Sequence, residues 1–364
     1  MSVRTRSRPR GPAAAAAASL PADSGEARSV LPTEARSVTA RECIAWGTAR
    51  AGDGTSGSTG RRRRGAGRPR RSGPACVAAE ATGARPGGPP GRARAGQAPA
   101  RGGGSGGGGS VTERAEAIFF ELFEGLPRQG PGSAACTERA FGLCQDLPSA
   151  PRVLDLGCGA GAQTLDLVRL GAGSVVAVDG HAPLVARLRE RVVELGLEGR
   201  VEARVGDMAA LERPPLDLAP ESFDLVWSEG ALYNLGLPAA LAVCRRMSKP
   251  GGCLAFSEAV WHSADPPEEV REVFAEYPGM GTEQDVRALL EREGWDTLGS
   301  FGLSDAAWWD EFYAPMEARL EEMRERYAGD AEALEILREL AREPAMHRRH
   351  GATYGYTFFI ARRP

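Results

Sequence analysis

The 364-residue chain predicts an α/β fold: an open, mostly parallel seven-stranded sheet with helices on both faces and a helical cap inserted before the last strand. Three observations lead there. From Arg152 onward, short apolar runs alternate with amphipathic ones, the pattern of a parallel sheet covered on both sides. The first run, Val153–Leu156, breaks at once into alternating glycines, as a strand does where it turns into a helix beside a ligand. Residues 1–110, by contrast, are Arg, Gly, Ala and Pro with few large apolar side chains, too few to offset the entropy of ordering. They predict a disordered arm and linker ahead of one folded domain, 111–364, with a core at about 150–258 and the cap at about 304–350.

The elements follow in order. Ser110-Val111-Thr112-Glu113 has the form of a capping box, and Ala115–Leu122 continue it as an amphipathic helix. Phe119, Phe120 and Phe123 on that helix serve as lid or as core. Arg128–Gly132 holds too much Gly and Pro for regular structure and could fold over a ligand. Strands are expected at Val153–Leu156, Ser174–Val178, Val201–Val205, Phe223–Trp227, Cys253–Ser257, Trp295–Phe301 and Tyr356–Ala361. Helices are expected at Gln163–Leu170, Pro183–Leu195, Ala239–Met247 and Thr282–Glu293, with Gly171, Gly196 and Gly294 as stops. In the insertion after Ser304, Met316, Leu320, Met323 and Tyr327 share one helical face, as do Leu334, Leu337 and Ala341. Such stripes need a surface to pack on, which places a cap over the open end of the sheet.

The glycine turn carries the chemistry. It reads Asp155-Leu156-Gly157-Cys158-Gly159-Ala160-Gly161, and Asp179 ends the next strand. The glycines let backbone approach a ligand, and Asp179 lies at the distance suited to gripping two ribose hydroxyls. Dinucleotide sites show G-x-G-x-x-G with a diphosphate on the helix N-terminus; here the spacing is G-x-G-x-G. Asp155, two residues before the first glycine, would repel a diphosphate but suits an ammonium and a sulfonium. The expected ligand is therefore an adenosyl cofactor, S-adenosyl-L-methionine, and the competing expectation is an NAD-dependent oxidoreductase.

With these residues in hand, the chain resembles the class I S-adenosylmethionine-dependent methyltransferases from about Phe119 to its end. The likeness rests on the glycine turn and on Val176-Ala177-Val178-Asp179, Val205-Gly206-Asp207-Met208, Ser222–Trp227 and Ser248-Lys249-Pro250-Gly251-Gly252. Gly125–Gly132, Trp227–Asn234 and Trp308-Trp309-Asp310-Glu311 further resemble a bacterial small-molecule-type group. The resemblance implies a Rossmann-like sheet and methyl transfer to a small-molecule acceptor, and leaves the acceptor open. The Asn/Asp-Pro-Pro-Tyr of enzymes that methylate adenine or cytosine is replaced here by Ser228-Glu229-Gly230-Ala231. The second nearby Glu of protein arginine methyltransferases is missing, the next acid being Glu258.

The candidate cofactor residues are Asp155, Gly157, Cys158, Gly159, Gly161, Asp179, Gly180, Asp207, Met208 and Glu229. Asp179 would accept from the ribose, or else cap the following helix; Asp207 would accept from the adenine amino group, or else be a turn acid, with Met208 against the ring. Asp155 would tether the amino-acid end through the loop backbone, and Cys158 is a small filler. Glu229 and Tyr233 are the catalytic candidates: Glu229 ends the fourth strand, where an acid could hold an ammonium, orient a basic acceptor or take a proton. Tyr233, Glu258, Trp261 and Trp308 are the candidate acceptor contacts, because aromatic rings attract a sulfonium and cap residues enclose a ligand.

Composition limits the partners. Residues 1–110 carry 19 of the 45 basic residues and 6 of the 48 acidic ones, a net +13 against −16 for the remainder. A nucleic-acid or protein methyltransferase guided by this arm is thus an alternative. Against it, Trp46 is the arm's one aromatic residue, and the whole chain has a single lysine, Lys249, so GC-rich coding suffices to explain the arginines. The seven cysteines form no C-x-x-C pair or metal-like cluster, which reads as a reduced, cytoplasmic protein without a metal. No run has the length of a membrane span. Oligomeric state is not encoded in any visible pattern.

Overall fold

The computed structural model describes residues 111–364. The expected arm and linker, and Ser110 of the capping box, lie outside the described residues.

Seven strands form one sheet: β1 Arg152–Leu156, β2 Ser174–Asp179, β3 Val201–Val205, β4 Phe223–Glu229, β5 Ser248–Trp261, β6 Asp296–Gly302 and β7 Tyr354–Arg362. Their order is β3-β2-β1-β4-β5-β7-β6. The β1, β2, β3, β4 and β5 pairings are parallel, and β7 runs antiparallel to both β5 and β6. Strand order therefore reverses between β1 and β4, the place where open α/β sheets bind ligands beyond their carboxyl ends. The central strands β1, β2 and β4 are buried along nearly their whole length, which is why they read as continuous apolar runs.

Helix Ala162–Arg169 follows β1, Ala182–Glu194 follows β2, and Leu237–Met247 follows β4. The last begins two residues earlier than expected because Pro238 sits in the first turn, where its missing N–H costs nothing. Glu283–Arg292 carries a full capping box, the Thr282 hydroxyl accepting from Asp285 and Asp285 accepting from Thr282. Strand β5 is longer than the expected Cys253–Ser257. Ser248 already pairs with Phe223, a register shift absorbs the Pro-Gly-Gly segment, and β7 then pairs with β5 from Cys253 out to Trp261.

The insertion folds as helices Asp305–Trp308, Ala314–Arg326, Ala331–Leu340 and Arg342–His350, with a wider π turn at Trp309–Tyr313. Met316, Leu320 and Met323 are buried as their stripe implied, with Tyr327 at its edge. The second stripe is corrected: Ala333, Ile336, Leu337 and Leu340 face inward, while Leu334 and Ala341 are only half-buried. The apolar face is centred one position away from the predicted one.

These residues pack with Ala115, Ile118 and Leu122 of helix Val111–Glu124 and with Ala259 of β5, forming a third apolar core above the two that flank the sheet. The N-terminal helix and the cap are thus one roof. Ion pairs Arg114–Asp330 and Arg326–Glu121, and a hydrogen bond from the Tyr327 hydroxyl to Glu121 at 2.7 Å, fasten them at the surface. Among the described residues no helix is long and apolar enough to cross a membrane.

Leu337→Ala should cost about 2–5 kcal/mol, because the side chain is wholly enclosed between cap and N-terminal helix. Urea unfolding checks this; a loss of a few tenths would show that the roof contributes little to the fold.

Candidate functional site

The turn after β1 satisfies itself. The N–H groups of Gly157 and Cys158 both donate to the Val178 carbonyl, at 2.8 and 3.1 Å, and Gly161 donates to Cys158 at 2.9 Å. Gly159 donates to Asp179 Oδ2 at 2.8 Å, and Ala160 donates to Gln129 Oε1 at 2.9 Å. Five consecutive backbone donors at the head of helix Ala162–Arg169 are all engaged within the protein. Gly157 has φ +73°, and a Cβ there would lie 2.3 Å from Ala231 Cβ, so the glycine permits the chain after β4 to close on the turn.

Asp155 lies beneath this turn and is completely buried. It accepts from the Thr164 hydroxyl and from Gln163 Nε2, and burial lifts its pKa to about 7 against those two hydrogen bonds. Asp155 thus braces the turn against the helix and has no exposed surface, so any hold it has on a ligand runs through the loop backbone. Cys158 is equally enclosed and burial raises its thiol, which matches the filler role.

Asp179 ends β2 with its carboxylate at the rim. Beside the Gly159 bond it accepts from the His181 N–H at 2.8 Å, while His181 is itself the residue that caps the following helix. Burial raises its pKa, opposed by the two N–H bonds. The N-terminal helix leans on this corner: Phe120 stacks on His181 at 3.9 Å, and His181 Nε2 lies 2.7 Å from Glu124. Asp207 caps the short 3-10 turn Met208–Ala210 through Ala209 N–H, the turn role foreseen as its alternative, with Met208 packed against the core beside it.

Glu229 is buried, its side chain 5% exposed, and three donors hold it. Thr137 and the Trp227 indole donate to Oε1 at 2.9 and 3.0 Å, and Arg128 donates to Oε2 at 2.8 Å. Burial raises its pKa, and the guanidinium and the two hydrogen bonds oppose that shift. Its donors occupy both oxygens, so the carboxylate ties strand β4, the Gly-Pro loop and Thr137 together. Arg128 also reaches Glu311 at 3.2 Å and Asp166 at 3.6 Å. Burial disfavours its charge, but the three carboxylates outweigh burial and raise its pKa. One side chain thereby joins the Gly-Pro loop, the helix after β1, the end of β4 and the cap.

Sequence reasoning noticed the Arg128–Gly132 loop without singling out Arg128, Gln129 or Thr137. A lone arginine between Pro127 and Gln129 carries no local pattern, and its partners come from 38 to 183 positions away.

The candidate acceptor residues divide. Trp308 is buried inside the cap, stacked on His347 at 4.2 Å and packed against Tyr313, Tyr354 and Tyr356. Trp261 donates its indole N–H to Met280 O at 3.0 Å and meets Phe274 edge-on. Both are committed to packing. Glu258 and Tyr233 instead come together at the end of β5 with Tyr277 and Tyr356, two tyrosines that sequence reasoning missed.

Residues 153–252 match the methyltransferase domain family. Dimethylglycine N-methyltransferase of Parasynechococcus marenigrum is 38% identical over 117 residues, which cover 32% of this chain and 40% of that protein. Ubiquinone biosynthesis O-methyltransferase of Nitrosococcus oceani is 39% identical over 109 residues, covering 29% of this chain and 42% of that one. The chain thus spans about two fifths of the length of these curated relatives. A methyltransferase of Geobacter sulfurreducens, solved with S-adenosyl-L-homocysteine, has the same fold at a TM-score of 0.58 and 21% identity, covering 68% of this chain and 98% of that one. Residues 153–252 thus carry a match to a methyltransferase domain, within a fold shared with that solved methyltransferase.

Two measurements test this geometry. Asp155 binds more protons folded than unfolded between its ordinary pKa of 3.8 and about 7, so its contribution to stability is full below that window and is lost as pH rises through it. Asp155→Asn should flatten that decline in urea midpoints; curves that stay parallel to wild type would refute the shift. Arg128→Ala should cost about 3–5 kcal/mol by stranding buried Glu229, and adding Glu229→Gln should recover more than half of it in a double-mutant cycle.

Proposed function

We propose that this protein moves a methyl group from S-adenosyl-L-methionine to a small-molecule acceptor, with residues 111–364 as the methyltransferase unit. The observation that carries the choice of cofactor is the self-satisfied turn. A dinucleotide needs unpaired backbone N–H groups and a positive helix end for its diphosphate, whereas here five successive N–H groups already have partners. Two of the loop's near neighbours are the carboxylates Asp155 and Asp179, which disfavour a phosphate and favour a cation. The oxidoreductase alternative loses its phosphate site on the same grounds.

In this proposal Asp179 accepts from the ribose hydroxyls with the lone pairs its two N–H bonds leave over, and Gly180 leaves room beside it, since a Cβ there would meet nothing within 4 Å. Asp207 and Met208 take the adenine edge and face. Gly157, Cys158, Gly159 and Gly161 form the floor. Glu229, held by Arg128, Thr137 and Trp227, is a positioning residue that keeps the end of β4 and the Gly-Pro loop in place. Tyr233 and Glu258 face the acceptor.

The bound cofactor supplies a methyl carbon on a sulfonium, already an activated electrophile. The chain's own task is alignment and the exclusion of water. The roof built from the cap and the N-terminal helix stands over the carboxyl end of β5, an enclosure that suits a small acceptor better than a polymer. Two of the matched relatives are named for dimethylglycine and for ubiquinone biosynthesis, which supports a small acceptor. Five buried free cysteines among the described residues fit a cytoplasmic setting.

Calorimetry should show the purified chain binding S-adenosylhomocysteine and giving no heat with NADH. Asp179→Ala should weaken that binding by about 100-fold, the loss of two charge-assisted hydrogen bonds. Heat with NADH and silence with S-adenosylhomocysteine would overturn the assignment.

A further inference from the structure

Glu258 is 1% exposed, and its Oε2 has no hydrogen-bond partner. Its Oε1 accepts from the Ala259 N–H at 3.0 Å. Other buried carboxylates near the site are matched: Asp155 by Thr164 and Gln163, Glu229 by Arg128, Thr137 and Trp227, and Glu343 by the Tyr313 hydroxyl at 2.9 Å. Among the described residues no cation is paired with Glu258. The Tyr277 hydroxyl stands close enough to favour its ionised form without satisfying Oε2. Burial raises its pKa to about 8, and a cation bound beside Oε2 would draw it back down.

A second orphan lies on the 3-10 turn Leu232–Leu235, which packs against β5. Asn234 Nδ2 donates to the Ala231 carbonyl at 3.1 Å, which fixes the orientation of the amide and leaves Oδ1 buried and unpartnered. Both orphans are oxygens, and a positively charged group is the partner that a carboxylate and an amide oxygen share. The rings around Glu258 point the same way. Tyr233 and Tyr277 meet at 5.7 Å between centroids, and the Tyr277 and Tyr356 hydroxyls both feel the Glu258 charge. A buried acid with tyrosines close by is an environment that suits an ammonium group, by charge pairing and by attraction to aromatic rings.

We infer that the methyl acceptor carries an ammonium group, protonated or quaternary, that docks between Glu258 Oε2 and the rings of Tyr233, Tyr277 and Tyr356. This rests on the methyltransferase proposal above and names its substrate class. Glu258 lies one residue beyond Ser257, which pairs across the sheet with Glu229, so the ammonium would sit at the carboxyl end of β5, beside the strand-order reversal where the cofactor belongs.

The test uses a cation and its neutral isostere, choline and 3,3-dimethylbutan-1-ol, titrated into the full chain saturated with S-adenosylhomocysteine. Choline should bind at least about tenfold more tightly than the alcohol, and Glu258→Gln should erase that preference. Equal binding of the two probes by the wild type, or an unchanged preference in Glu258→Gln, would overturn the inference. If the variant no longer takes S-adenosylhomocysteine, the wild-type preference alone decides. If the wild type itself fails to bind S-adenosylhomocysteine, the methyltransferase proposal falls instead, so the two failures are told apart.

Discussion

A single guanidinium holds the working end of this protein together. Arg128 is 4% exposed and lies among Glu229, Glu311 and Asp166, which belong to strand β4, the cap and the helix of the glycine turn. Burying the Arg128–Glu229 pair is expensive unless the two compensate each other, and the expense rises sharply if either is removed. The arrangement therefore has few alternatives. Either the Gly-Pro loop closes with its arginine inward or Glu229 is stranded in an apolar wall beside Trp227. Arginine suits the position because its planar fork offers several donors at once and its charge persists under burial.

The loop is further pinned beside Arg128. Gln129 donates to the Phe123 and Leu126 carbonyls at 3.2 Å and accepts from Ala160, so one side chain stitches the end of the N-terminal helix to the glycine turn. Gly132 N–H meets the Ala307 carbonyl of the cap at 2.9 Å. Roof and floor are consequently joined by a segment with little regular structure of its own. This explains how an insertion near the C-terminus and a helix ahead of the sheet come to pack over one region of the sheet.

Within that region, charge is divided by role. Carboxylates that brace the framework have their partners in the protein. Glu258, near the end of β5, leaves its Oε2 unpartnered, and it lies among tyrosines that belong to three separate parts of the chain. Asymmetry of this kind separates a scaffold acid from one that faces a ligand, because an unsatisfied buried oxygen is costly unless something binds there. Of the two tryptophans that looked most like ligand contacts, Trp308 packs inside the cap, and Trp261, at the end of β5, donates to Met280 and packs on Phe274.

Much of the sheet was legible because its signals are local. Apolar runs such as Val175–Val178, glycine stops and the Thr282–Asp285 cap each act over a few residues, and the strands and helices fell close to their expected bounds. Val153–Gly161 with Asp179 likewise announced a cofactor turn, since spacing alone brings those residues together across β1 and β2. What the sequence could not decide was which acids face the ligand. Asp155 and Glu258 look alike along the chain, yet hydrogen bonds from Thr164 and Gln163 close off one while the other is left open. The same holds for Arg128, whose three partners are assembled only when loop, sheet and cap converge. Residue type and local period determine the framework; the pairing of buried charge depends on distances that exist only after folding.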